Sequence, residues 1–258
     1  MHPSLNTRFI NPEKSGIPVL LVHGLFGAGE NLLGIARAID DRPVCLVDLR
    51  NHGRSFHADS MTQRDMAEDI ARLIRGQGWH RVDYIGHSLG GKVGIQLSQD
   101  HPELIHKLLV ADIAPVDYEP GHDDIFAAFD AVDPSVVASR READGLMQAH
   151  LSESGVRSFL LTNLVRAESG GFQWRCNLDA IKAGYESVRC APDLVMPFEG
   201  AVLYIRGGAS DYVLPQDEWA IHQYHPNADI KTLEGTGHWL HAEKPQEFNA
   251  LVCEFLDQ

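Results

Sequence analysis

Residues 84–94 read YIGHSLGGKVG. Four glycines, at positions 86, 90, 91 and 94, surround a single serine, Ser88. An apolar, strand-like run enters this stretch and an apolar, helix-like run leaves it. Gly86-x-Ser88-x-Gly90 matches G-x-S-x-G. Between a strand and a helix that pattern is a nucleophile elbow, a sharp and strained turn that lifts the serine hydroxyl above a sheet. A Cβ at 86 or 90 would collide with the turn, so glycine is required at both. A helix starting at Ser88 aims its free N–H groups at the same point, which makes the Leu89 N–H a candidate oxyanion donor. The plain alternative, a glycine-rich turn with an idle serine, accounts for neither the strand before nor the helix after.

The chain on both sides of the elbow repeats one alternation. Apolar runs occur at 17–24 (IPVLLVHG), 42–49 (RPVCLVDL), 82–88, 105–113 (IHKLLVADI), 201–208 (AVLYIRGG) and 228–235 (ADIKTLEG). They lack strict apolar/polar alternation, as expected of strands buried on both faces. Helical spacing connects Leu32, Leu33, Ile35, Ala36 and Ile39, then Met66, Ala67, Ile70, Leu73 and Ile74, and finally Phe248, Leu251, Val252, Phe255 and Leu256. Strand alternating with helix predicts an α/β fold with a mostly parallel central sheet, flanking helices and right-handed crossovers.

The alternation stops between about 115 and 198, where HDDIFAAFDAV, SRREADGLMQAHL, GVRSFLLTNLV and CNLDAIKAGYESV read as helical. Prolines at 115, 120 and 197 mark the edges. The expected organisation is a core of residues 1–114 and 199–258 with a helical cap, 115–198, inserted between core strands. A cap there lies over the carboxyl ends of the strands, where such sheets bind ligands. Phe126, Phe129, Phe159, Leu160 and Trp174 are its candidate pocket walls.

A serine hydroxyl is a weak nucleophile and needs a base. Of 14 histidines, His238 in EGTGHWLHAEKP follows the last predicted strand and precedes the last helix. That loop carries the base in the chain order Ser, acid, His. His241 is three residues further on, His87 is expected to point away from the nucleophile's task, and His23 and His52 read as hydrogen-bonding scaffolds. The loop HGLFG (23–27) is expected to supply the second oxyanion donor, the Leu25 N–H. The acid is open between Asp112, at the end of the strand after the elbow helix, and Asp211, after the next core strand. Asp179 would have to reach down from the cap, and Asp48 reads as a structural partner of Arg50.

Composition bounds the partners. With 22 basic and 36 acidic residues, the formal charge is −14, which argues against nucleic acid and anionic membrane as main partners. Four scattered cysteines form no C-x-x-C pair and read as free thiols in a reducing compartment. MHPSLNTRFINPEKSG has no apolar signal region, so a cytoplasmic protein, monomeric or homodimeric, is expected. The chemistry outlined here calls for no metal or organic cofactor.

LLVHGLFG, VDLRNHGRS, YIGHSLGGKVG and GTGHWLHAEKP occur in the order of the α/β-hydrolase superfamily, which the chain resembles. DIAPVDY followed by IFAAFDAV, then LLTNLV, W-R-x-NLDAI and GHW-x-HAEKP, resemble a bacterial esterase/thioesterase subfamily related to the mitochondrial abhydrolase-domain-11 proteins. The resemblance spans nearly the whole chain. It implies Ser88 as nucleophile, His238 as base and, from the D-I-A-P stretch, Asp112 as acid; the wider superfamily uses the position of Asp211, and this chain has both. It also implies hydrolysis of short to medium acyl esters, extending to acyl-CoA thioesters. A cofactor-free perhydrolase or a lyase would use the same triad, and a ligand-binding protein on the same fold is the reading from a different class.

Overall fold

The apolar runs are too short for helices and too continuous for half-exposed strands, and they form the centre of the molecule. The computed structural model describes residues 3–258. Its strands are β1 (Thr7–Ile10), β2 (Val19–Val22), β3 (Val44–Val47), β4 (Val82–His87), β5 (Ile105–Ala111), β6 (Leu164–Arg166), β7 (Phe172–Trp174), β8 (Ala201–Gly207) and β9 (Ala228–Leu233). Seven of them form one sheet in the order β1-β3-β2-β4-β5-β8-β9. All neighbours are parallel except β1, which runs antiparallel to β3 with Thr7 opposite Val47. The six expected strands are present; β1 was not anticipated, because four half-exposed residues on a sheet edge carry little pattern.

The helices are α1 (Leu33–Ala38), α2 (Gln63–Gly76), α3 (Leu89–Asp100), α4 (Asp123–Asp130), α5 (Arg140–Met147), α6 (Ser154–Leu160), α7 (Leu178–Arg189), α8 (Glu218–Tyr224), α9 (Leu240–Glu243) and α10 (Pro245–Asp257). Alternate strand residues serve opposite faces of the sheet. Leu20, Val22, Tyr84, Leu108 and Val110 pack with Met66 and Ile70 of α2 and Val93 of α3. Val19, Leu21, Ile85, Leu109 and Ala111 pack with Ile35 of α1 and Phe248 and Val252 of α10. Both faces are therefore apolar, which explains the unbroken runs. Among the described residues no helix is long and apolar enough to cross a membrane.

Between β5 and β8 the chain leaves the sheet. Helices α4 to α7 fall on the four helical segments read from the sequence, with one correction. GVRSFLLTNLV is helical only through Leu160; a 3-10 turn over Leu161–Asn163 follows, and then β6 pairs antiparallel with β7. The fully buried Asn163 accounts for the break. Its side-chain amide donates to the Phe26 carbonyl at 2.8 Å, and its own carbonyl accepts the Arg175 N–H at 2.8 Å. Both ends of this excursion are tied to α3 by one buried ammonium. Lys92 Nζ donates to the carbonyls of Val116 (3.0 Å), Arg189 (2.6 Å) and Cys190 (2.5 Å).

The turn from β4 into α3 is the tightest backbone crossing. Ser88 has φ 51 and ψ −116, a sparsely populated conformation that costs roughly 1–3 kcal/mol. A Cβ at Gly86 would stand 2.3 Å from the Gly90 carbonyl oxygen, and one at Gly90 would stand 2.3 Å from that of Val22. Gly86→Ala is therefore expected to destabilise the fold by at least about 1–3 kcal/mol in urea denaturation. Gly34→Ala, at an exposed α1 position where a Cβ meets nothing, should instead stabilise it by roughly 0.5–1 kcal/mol.

Beneath α3 a fully buried histidine, His225, sits in a polar pair. Ser98 Oγ donates to the Ile95 carbonyl (2.6 Å), so His225 Nε2–H donates to Ser98 Oγ (3.1 Å) and Nδ1 accepts the Tyr204 hydroxyl (2.9 Å). Burial pushes the His225 pKa down to about 3. The unfolded chain, with an ordinary value near about 6.5, then binds a proton that the folded chain refuses. Stability contributed by this group is full above about pH 6.5 and is lost as pH falls below it. Urea midpoints measured at pH 7 and pH 5 should show the decline, and His225→Asn should make it shallower.

Candidate active site

Ser88, His238 and Asp112 form one hydrogen-bonded line. Ser88 Oγ lies 3.0 Å from His238 Nε2, and His238 Nδ1 lies 2.8 Å from Asp112 Oδ2. Each side chain comes from the carboxyl end of a strand: Ser88 after β4, Asp112 after β5 and His238 after β9. With Nδ1–H donating to the carboxylate, Nε2 carries no proton and accepts a hydrogen bond from the Ser88 hydroxyl.

Asp112 is fully buried and has φ 51, in the left-handed region that an aspartate tolerates better than most residues. Its backbone N–H donates to the Ile205 carbonyl at 2.8 Å, which fixes the turn. Burying a carboxylate costs several kcal/mol unless its lone pairs are filled. Here Oδ1 accepts the Gly207 N–H at 2.8 Å, and Oδ2 accepts both the Ser210 hydroxyl and His238 Nδ1–H.

None of the other candidate acids bonds the imidazole, although Asp211 borders the larger cavity at Ser88. Asp211 is exposed and has no hydrogen bond to His238, whose two ring nitrogens are already engaged. The loop after β8 reaches the site through the neighbours of Asp211 instead. Ser210 donates to Asp112, and the Tyr212 ring stacks on His238 with centroids 3.9 Å apart and planes 21° from parallel. A search of the sequence for acids passes over a serine and a tyrosine, and no spacing rule flags either. Asp179 is exposed in the first turn of α7. Asp48 does not pair with Arg50 as expected. It accepts the N–H groups of Gly29 (2.7 Å) and Arg54 (2.8 Å), while Arg50 Nε reaches Asp69 at 2.6 Å.

Histidines crowd the site without charging it. His23 accepts the Leu49 N–H at Nε2 (3.1 Å) and donates from Nδ1 to the Gly24 carbonyl (2.7 Å), which braces the loop that carries Leu25. His52 Nδ1 lies 2.9 Å from the Arg50 carbonyl, and its ring is 5.2 Å from that of His23. His87 borders the smaller cavity beside Ser88 and donates from Nε2 to the His238 carbonyl at 2.8 Å, so it holds the His238 loop. Its ring lies 4.6 Å from that of His241. Burial lowers the His87 pKa well below the ordinary value and pushes that of His241 down to about 4. Both are therefore neutral around pH 7 and place no second positive charge beside His238.

The N–H groups of Leu25 and Leu89 take no acceptor among the described residues, and both residues border the cavity at Ser88. That cavity, of about 210 Å³, is floored by Ser88 and walled from the excursion by Tyr118, Tyr185 and Val188. A smaller one, of about 60 Å³, adjoins it and includes Phe159 and Leu160. Phe126, Phe129 and Trp174 wall neither. Phe126 and Phe129 pack on Phe26, with centroids 5.9 and 5.1 Å from its ring, and Trp174 packs on Phe129 at 5.0 Å. Helical spacing marks an apolar face without saying whether it meets a core or a cavity, and here it meets the core.

The sheet order, the elbow and the three aligned side chains define an α/β hydrolase. The model of the alpha/beta hydrolase family matches residues 19–251, and the chain belongs to that family. The mouse sn-1-specific diacylglycerol lipase ABHD11 is 37% identical over 247 residues, which cover 92% of this chain and 80% of the mouse protein. Esterase YbfF of Escherichia coli K12 is 37% identical over 242 residues, 93% of each chain. The solved structure of a marine microorganism esterase superposes with a TM-score of 0.95 at 36% identity, covering 98% of this chain and all of the other.

The geometry makes the two acids distinguishable by experiment. Replacing a triad aspartate with asparagine keeps its size but favours the wrong imidazole tautomer, a loss of about 10⁴ in turnover in the worked serine-protease case. Asp112→Asn should lose on that order, and Asp211→Asn less than about tenfold, in steady-state ester hydrolysis.

Proposed function

We propose that the protein is a serine carboxylesterase that cleaves short to medium acyl esters through an acyl-enzyme on Ser88. The observation that carries this reading is the line Ser88–His238–Asp112, with steps of 3.0 and 2.8 Å, beside two unengaged backbone N–H groups at the floor of a cavity. His238 takes the Ser88 proton as Oγ attacks the ester carbonyl. The oxyanion that forms is held by the N–H groups of Leu25 and Leu89, and removal of one such donor typically costs about 10²–10³ in rate. Asp112 keeps the imidazole oriented and balances its positive charge. The proton then passes to the departing oxygen, the alcohol leaves, and water activated by His238 frees the acid. A thioester enters the same path, with a thiol as the leaving group.

The esterase and lipase names of the relatives support this reading. Residues 115–198 serve as the cap of a core formed by 1–114 and 199–258. Their side chains roof the cavity, and Lys92 fastens both their ends to the helix that begins at the nucleophile.

Ser88→Ala removes one half-buried hydroxyl and should leave the fold intact. Hydrolysis of a p-nitrophenyl acyl ester should fall by on the order of 10³–10⁶, and covalent labelling by a serine-directed phosphonate should vanish. Near wild-type turnover, or labelling that survives the substitution, would sink the nucleophile assignment.

A further inference from the structure

Ser88 stands where two cavities meet. Leu25, Ser88 and His122 border both. The larger lobe, of about 210 Å³, continues past Leu89 and Ile113 to Tyr185 and Val188. The smaller lobe, of about 60 Å³, runs past His238 and His241 to Val156 and Phe159. His238 borders only the smaller lobe. From this asymmetry we infer that the larger lobe holds the acyl group of the substrate and the smaller lobe holds the departing alcohol.

The assignment rests on the acyl-enzyme reading above and follows from where the proton must go. In the first half-reaction the Ser88 Oγ–carbon bond forms and the carbon–alcohol oxygen bond breaks. The serine proton moves to His238 Nε2 and from there to the alcohol oxygen. That oxygen must come within about 2.6–3.2 Å of Nε2, so the alcohol departs along the wall that His238 forms. The carbonyl oxygen is directed to the Leu25 and Leu89 N–H groups. The remaining substituent, the acyl chain, is left the lobe that His238 does not border. In the second half-reaction the attacking water gives its proton to the same Nε2, so it occupies the lobe the alcohol has vacated. Water and alcohol share one lobe, while the acyl chain stays in the other throughout.

The two volumes then describe the substrate. A water needs roughly 10–15 Å³ of such space, so the smaller lobe takes about four to six waters or a short alcohol or thiol arm, and the larger lobe takes the bulkier chain. Phe159, a candidate pocket wall from the sequence, becomes a determinant of the alcohol. Val188 becomes a determinant of the acyl chain.

A matrix of acetate, butyrate and octanoate esters of methanol, ethanol and butanol tests this on the wild-type protein, Phe159→Ala and Val188→Phe. Phe159→Ala should raise the butyl-to-methyl ratio of kcat/KM by about tenfold, the effect of one altered apolar contact, and leave the octanoate-to-acetate ratio unchanged. Val188→Phe should lower the octanoate-to-acetate ratio by about tenfold and leave the alcohol ratio unchanged. If Val188→Phe fails to fold, Val188→Ala carries that arm and should raise the octanoate-to-acetate ratio. Crossed effects, equal movement of both ratios in one variant, or ratios that do not move in an active enzyme would overturn the lobe assignment alone. A wild-type protein that cleaves none of these esters and is not labelled at Ser88 by a phosphonate would overturn the serine-esterase reading, and the assignment with it.

Discussion

Three stretches of backbone meet beneath Ser88, and only glycine lets them approach. The Gly90 α-carbon lies against the Val22 carbonyl at the end of β2, and Gly86 in β4 lies against the Gly90 carbonyl at the start of α3. This contact sets the height of Ser88 above the sheet and the direction of α3. It also holds Ser88 in a conformation that an isolated chain would seldom visit. The crossing is stabilised by the sheet on either side of it, since β2 and β4 are neighbours in register from Val19–Asp83 to Val22–Gly86. The strain at the serine is thus a property of the whole parallel sheet and not of the loop alone.

The second requirement is that a carboxylate be hidden beside that serine without being left unpaired. Asp112 meets it by borrowing donors from the adjacent strand end. The Gly207 N–H and the Ser210 hydroxyl fill lone pairs that His238 alone would leave open. The stacked Tyr212 ring and the hydrogen bond from His87 then restrict His238 from its face and from its own backbone. Three segments far apart in sequence, after β4, β5 and β8, therefore converge on a single imidazole. Such convergence leaves the imidazole little freedom to reorganise.

Much of this was legible in the residues because the physics involved is local. Double-sided burial leaves a visible apolar run, and a glycine-lined serine between strand and helix leaves a visible motif. What escaped was set by tertiary neighbours. Asp112 and Asp211 both follow strands, and nothing in their spacing says that one is buried at φ 51 facing a histidine while the other stands exposed at the rim of the larger cavity. The resemblance to a family favoured Asp112, where the residues alone left both open. Phe129 and Phe159 lie on equally apolar helical stretches, yet one packs on Phe26 and Trp174 and the other borders a cavity. The start of β6, at 164–165, reads from the sequence as the end of a helix, because strands of three residues are shorter than any periodicity can register.

Lys92 gathers the carbonyls of Val116, Arg189 and Cys190 around one nitrogen, so the two ends of a long excursion lie side by side in space. A segment whose ends adjoin can be lengthened, shortened or exchanged without moving the strands it leaves and rejoins, as in tolerated domain insertions. The lysine is then a docking collar, and the excursion is a cassette. Grafts that preserve the three carbonyls would inherit Ser88, His238 and Asp112 unchanged while presenting them to a different roof. Diversification of such enzymes has a natural pair of splice points here, one on each side of a single ammonium.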